Sequence, residues 1–134
     1  MLFASIRIIT SDVDRLTTFY EKVTGLTAHR LNPVFAQIAT GAGTVALAGP
    51  QTLAATGTPG IADPGTNRSV LIEFRVDDVD AEFARLADGI VSGFELEPTT
   101  MPWGNRSILF RDPDGNLVNL FTPVSAEARA RSGS

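Results

Sequence analysis

The chain has 134 residues, 43% of them hydrophobic, enough for one compact domain with a buried core or for two small modules sharing one. Eleven basic against 15 acidic residues give a net charge of −4 with no basic patch, so no nucleic acid is expected as a partner. No apolar run reaches the roughly 18 residues of a membrane span, the opening "MLFASIRIITSDVD" lacks the charged and apolar regions of a secretory leader, and the absence of cysteine excludes disulfides and thiolate chemistry, so a cytoplasmic protein away from the membrane is expected.

Residues 5–10, "SIRIIT", alternate as a strand does: Ser5, Arg7 and Ile9 on one side, Ile6, Ile8 and Thr10 on the other. The following "SDVDRLTTFYEKVTGL" places Val13, Leu16, Phe19, Tyr20 and Val23 at helical spacing. Ser11 or Asp12 caps its start and Gly25 ends it. "TAHRL", "VFAQIAT" and "TVALAG" read as three short strands. The "GAG" between the last two has neither the spacing nor the following helix of a phosphate loop. Residues 49–68 are rich in Gly, Pro, Thr and Ala and read as a linker or long loop.

The order then restarts. "SVLIEFRV" (69–76) alternates, "DDVDAEFARLADGI" is a second capped helix, and the remaining strands run through "SILFRDPDGNLVNLFTP" (107–123). Residues 125–134 are small and polar and are expected to fray. Aligning Asp12-Val13-Asp14 with Asp78-Val79-Asp80 puts Ile6 on Ile72, Ile8 on Phe74, Arg7 on Glu73 and Ser5 on Leu71. Aligning "TVALAGP" with "LVNLFTP" puts Ala46 on Asn119. Each half therefore reads strand, helix, three strands.

Ile6 and Ile8, then Ile72, Phe74 and Val76, are expected to pack under the helices. The opposite faces mix polar and apolar residues: Ser5, Arg7 and Ile9; Leu71, Glu73 and Arg75; Leu117, Asn119 and Phe121. Such a face is either solvated or lines a concave pocket where a few polar groups orient a ligand. Leu71, Leu117 and Phe121 are poor choices for a wet face, which favours the pocket.

The repeated unit, with "RVDDVDAEFARL" and the closing "PWGNRSILFRDPDGNLVNLFTP", resembles the vicinal oxygen chelate superfamily over residues 3–123. That superfamily includes glyoxalase I, bleomycin-resistance proteins, fosfomycin-resistance enzymes and extradiol dioxygenases. The resemblance implies an α+β fold of two tandem βαβββ modules, forming curved, antiparallel-rich sheets (cup-shaped half-barrels) with helices on the outer face. It implies a single domain over 1–124, with module one at about 3–49, a linker at 50–68, module two at 69–123 and a flexible tail at 125–134. It also implies a homodimer whose pockets are built by both subunits.

Catalytic members hold one divalent metal through His, Glu or Gln on the first and last strand of each module. Here the corresponding positions are Ser5, Ala46, Leu71 and Asn119. Leucine and alanine have no donor atom, and serine and neutral asparagine are weak ligands, so no metal and no cofactor are expected. A register slip of two would put Arg7 and Glu73 in the slots, and one carboxylate facing a cation makes no metal centre.

The expected ligand is a small aromatic or amphipathic molecule contacting Arg7, Leu71, Glu73, Trp103, Leu117, Asn119 and Phe121. The net negative charge is compatible with a cationic one. Asn119 is either a pocket amide or a satisfied structural one. Glu73 and Arg7 either orient a polar ligand or pair with each other, and Arg75 sits at the rim. Trp103, the single tryptophan, either stacks on a ligand at the cavity edge or packs in a core or interface. His29, the single histidine, cannot build a His-rich metal site and reads as a surface or strand-edge residue. Asp112, Pro113, Asp114 and Gly115 read as a turn rather than a cation site. Three functions remain open: a metal-free binding protein; an enzyme of the same superfamily, either a metal-independent isomerase or lyase with Glu73 as candidate acid or base or, with less support, a metal-dependent lyase or dioxygenase; and a module whose dimer surface is its purpose.

Overall fold

The computed structural model describes residues 1–133. The chain divides into two compact units, Met1–Asn67 and Arg68–Ser134, called module one and module two below.

Module one runs β1 (Ser5–Ile9), α1 (Val13–Thr24), β2 (His29–Asn32), β3 (Phe35–Ala39), β4 (Thr44–Ala48) and a single helical turn, α2 (Gln51–Ala54). Its sheet has the order β1-β4-β3-β2, with β1 and β4 parallel and the other pairs antiparallel. Asp12 caps α1, its Oδ1 accepting from the Arg15 N–H at 3.0 Å. Gly25 closes it with φ of 72°, a left-handed conformation that glycine adopts without steric cost. The buried face of α1 is Leu16, Thr17, Tyr20 and Val23. It packs over β3 and β4, where Ala36, Ile38 and Leu47 are buried.

Module two repeats this plan: β5 (Leu71–Arg75), α3 (Val79–Ala87), β6 (Phe94–Thr100), β7 (Asn105–Arg111), β8 (Leu117–Pro123) and α4 (Ala126–Arg131), with sheet order β5-β8-β7-β6. Asp78 caps α3 as Asp12 caps α1, accepting from the Ala81 N–H at 3.1 Å. Val79 and Leu86 of α3 are buried with Ile72, Ile108, Phe110, Val118 and Leu120 of the sheet.

The ladders share one register. Ser5 faces Thr44 and Arg7 faces Ala46; in module two Leu71 faces Leu117 and Glu73 faces Asn119. One residue past each first strand, the Thr10 N–H donates to the Ala48 carbonyl and the Val76 N–H to the Phe121 carbonyl, both at 2.9 Å. The two modules therefore align without a slip, as the sequence repeat requires.

Two expectations need correction. Ile6, expected under a helix, is 40% exposed, because β1 is an edge strand and α1 lies over β3 and β4 instead. The tail expected to fray and flex forms α4. Ser125 caps it by accepting from the Ala128 N–H, and Ala128 is fully buried. Gly104 lets α4 approach: a Cβ there would fall 1.9 Å from Ser125 Oγ, and its φ of +90° already disfavours other residues.

Candidate functional site

The site is built on the face of the module-two sheet opposite α3. Alternation decides which side chains reach it. Ile72, Phe74, Val118, Leu120, Ile108 and Phe110 take the helix-covered face. Leu71, Glu73 and Arg75 of β5, Leu117, Asn119 and Phe121 of β8, and Ser107, Leu109 and Arg111 of β7 take the other. Register places Glu73, Asn119 and Leu109 in one row across three strands.

At the centre of that row the Asn119 Nδ2 donates to Glu73 Oε2 at 2.8 Å. Glu73 is exposed, while Asn119 retains 9% of its accessible surface. The other amide atom, Asn119 Oδ1, is closed to solvent and has no hydrogen-bond partner. Turning the amide over would bring that oxygen against the Glu73 carboxylate, so the donor side is fixed by chemistry. The neighbours on this face, Leu117, Phe121 and Leu109, are partly exposed, and Leu71 is 43% exposed. The result is a face with Leu71, Leu117, Leu109 and Phe121 around one carboxylate and one amide, and with Arg75 and Arg111 towards its two ends.

Arg75 is two residues from Glu73 on the same side of β5, yet its Nη1 donates to the Ser132 carbonyl at 2.7 Å, beyond the end of α4. Among the described residues of module two, Arg85–Glu82, Arg106–Asp80 and Arg111–Glu95 form ion pairs, and Glu73 is in none of these three. Trp103 lies in the tight β6–β7 turn, near the end of the sheet that carries Arg75, and is 59% exposed. Its carbonyl accepts from the Arg131 guanidinium of α4. The Gly104 carbonyl accepts from the N–H groups of Val124 and Ser125 at 2.9 and 3.2 Å. The C-terminal helix thus holds the tryptophan turn.

The structure brings together Leu71, Glu73, Leu117, Asn119 and Phe121 on one face, as the alternation implies. Arg7 lies on β1 of module one, exposed, in a row with Ala46, Gln37 and His29. His29 is exposed on the edge strand. Sequence reasoning missed Ser107 and Leu109 on this face, though "SILF" alternates visibly. It also missed α4, for which Ser125 followed by "AEARAR" was the available capping signal.

Asp112 is a turn residue. Its Oδ1 accepts from the N–H groups of Asp114 and Asn116, both at 2.9 Å, and its Oδ2 from Asn116 Nδ2 at 2.8 Å. Gly115 has φ of 85°, which completes the loop.

The donor set does not fit a metal. Ala46 and Leu71 offer no ligand atom, and the Ser5 hydroxyl and the neutral Asn119 amide oxygen are weak ligands. No group of three His, Cys, Asp or Glu among the described residues could hold an ion.

Two βαβββ units, each closing its sheet with a parallel first–last strand pair, define a glyoxalase-type fold. The chain belongs to the Glyoxalase/Bleomycin resistance protein/Dioxygenase superfamily, whose model matches residues 2–120. Among solved structures, a glyoxalase/bleomycin resistance protein/dioxygenase from Nocardioides is 24% identical, with a TM-score of 0.77 over 94% of this chain and 85% of that one. A protein of unknown function from Agrobacterium tumefaciens str. C58 is 25% identical, with a TM-score of 0.77 over 91% of this chain and 94% of that one. A lactoylglutathione lyase from Agrobacterium tumefaciens is 22% identical, with a TM-score of 0.67 over 91% of this chain and 92% of that one. No curated protein matches the chain.

Proposed function

We propose that this protein binds a small aromatic or amphipathic molecule, without a metal, on the open face of module two. The observation that carries the reading is Asn119: a nine-tenths buried amide with an unpartnered oxygen, at the centre of an apolar face. An orphaned acceptor costs stability, and a sheet face that had only to be wet would carry neither this cost nor exposed leucine. Leu71, Leu117 and Phe121 supply apolar contact, Glu73 and Asn119 orient the ligand, and Trp103 flanks it. Ala46 and Leu71 without a ligand atom, and the weak ligands Ser5 and Asn119, favour binding over metal-dependent chemistry.

The working form is a cytoplasmic homodimer. The lack of cysteine suits a reducing compartment, and the exposed apolar residues Met1, Leu2, Phe3 and Ile6 suit coverage by a second copy. No helix among the described residues is long and apolar enough to cross a membrane.

The test is a ligand screen read by the fluorescence of the single tryptophan and by amide chemical shifts. Saturable binding that moves residues 71–75 and 117–121 supports the reading. A library of aromatic and amphipathic compounds that leaves these residues unmoved refutes it.

A further inference from the structure

We propose that Glu73 is the anchor for a cationic, N–H-donating group on the bound molecule: an amine, amidine or guanidine. This rests on the binding reading above and names the ligand class. Three observations carry it. Glu73 is an exposed carboxylate on an apolar face, and one of its oxygens is held by Asn119 Nδ2 at 2.8 Å. That bond positions the side chain and leaves Oε1 for another donor. Arg75, two residues away on the same side of β5, donates its Nη1 to the Ser132 carbonyl at 2.7 Å rather than to Glu73. Among the described residues, the ion pairs Arg85–Glu82, Arg106–Asp80 and Arg111–Glu95 do not include Glu73.

The second acceptor points to the same class of ligand. Asn119 Oδ1 lacks a donor. An amidine or guanidine presents several N–H groups in one plane. One serves Glu73, and another serves Asn119 once its oxygen, closed to solvent in this structure, is opened to the ligand. An anionic ligand at the centre of the face would meet the exposed Glu73 carboxylate, which repels it. The apolar surroundings take the aromatic or aliphatic body of the same molecule.

The experiment uses matched pairs on the full chain: benzamidine against benzamide, and phenethylamine against phenethyl alcohol. Binding is followed by the side-chain amide resonances of Asn119 and by titration calorimetry. The charged member of each pair is expected to bind about tenfold more tightly at low salt, with the preference shrinking as ionic strength rises. Glu73→Gln should abolish the preference for the charged member of each pair. Arg75→Ala should leave it within about twofold, since Arg75 is engaged elsewhere. Equal binding of both members overturns the anchor while the binding site itself stands. A tenfold gain in cation affinity on Arg75→Ala would show that Arg75 neutralises Glu73 in solution, and overturns it too. If neither member of any pair moves this face, the anchor and the binding reading fall together.

Discussion

Replacing Asn119 by leucine separates an amide kept for stability from one kept for binding. The two side chains have nearly the same shape, and the neighbours on the open face, Leu117, Phe121 and Leu109, suit leucine. The change removes one hydrogen bond, to a Glu73 that is exposed and can turn to water; such a bond has a net worth of about 0.5–1.5 kcal/mol. It also removes a buried acceptor without a partner, whose cost is about 1–3 kcal/mol. The balance favours the variant by about 1 kcal/mol, or a rise in melting temperature of about 4 °C for a chain of this size. Urea denaturation at neutral pH, with calorimetry as a second probe, measures it. Asn119→Leu should at the same time lose the cation preference. A variant destabilised by 1 kcal/mol or more would refute the reasoning, because it would mean that the amide oxygen is satisfied in the folded protein.

Other expectations follow from the same geometry. Asp112→Ala strips acceptors from three N–H groups around Asn116 and should cost about 3–5 kcal/mol in urea denaturation, whereas Asp112→Asn keeps the two backbone bonds and should cost about half; a loss under 1 kcal/mol for alanine would contradict the turn network. The hydrogen bond from Arg106 holds the Asp80 carboxyl below its ordinary value. Because the folded value is the lower one, this pair contributes stability that is complete above roughly pH 4 and is lost as pH falls through the folded value. The wild type should therefore lose melting temperature on acidification slightly faster than Asp80→Asn, a small effect for an exposed pair; identical slopes would count against it.

Much of this architecture follows from local rules that the sequence displays. Period-two and period-3.6 patterns define the elements, Asp12 and Asp78 announce the helix starts, and Asp-Pro-Asp-Gly announces the hairpin turn. Each is a property of a few neighbouring residues. The repeat adds long-range information, because matching positions in two halves imply matching pairings, and the ladders Arg7–Ala46 and Glu73–Asn119 follow it. The side chains at Ser5, Ala46, Leu71 and Asn119 are legible for the same reason, since their places on the ladders follow once the register is known.

Other features depend on groups far apart in the chain. Nothing local marks Glu73 as the partner of Asn119, 46 residues away, rather than of a cation. Nothing in "RVDD" directs Arg75 to the carbonyl of Ser132, 57 residues on. The helix at 126–131 was invisible to composition because its six residues are too few to be stable alone. It exists because Ala128 finds a buried seat and because Gly104, lacking a side chain, lets it approach. Ile6 shows the converse: strand alternation assigns it to the helix side, but whether a helix reaches it depends on which strands α1 crosses, and that is settled by packing between elements.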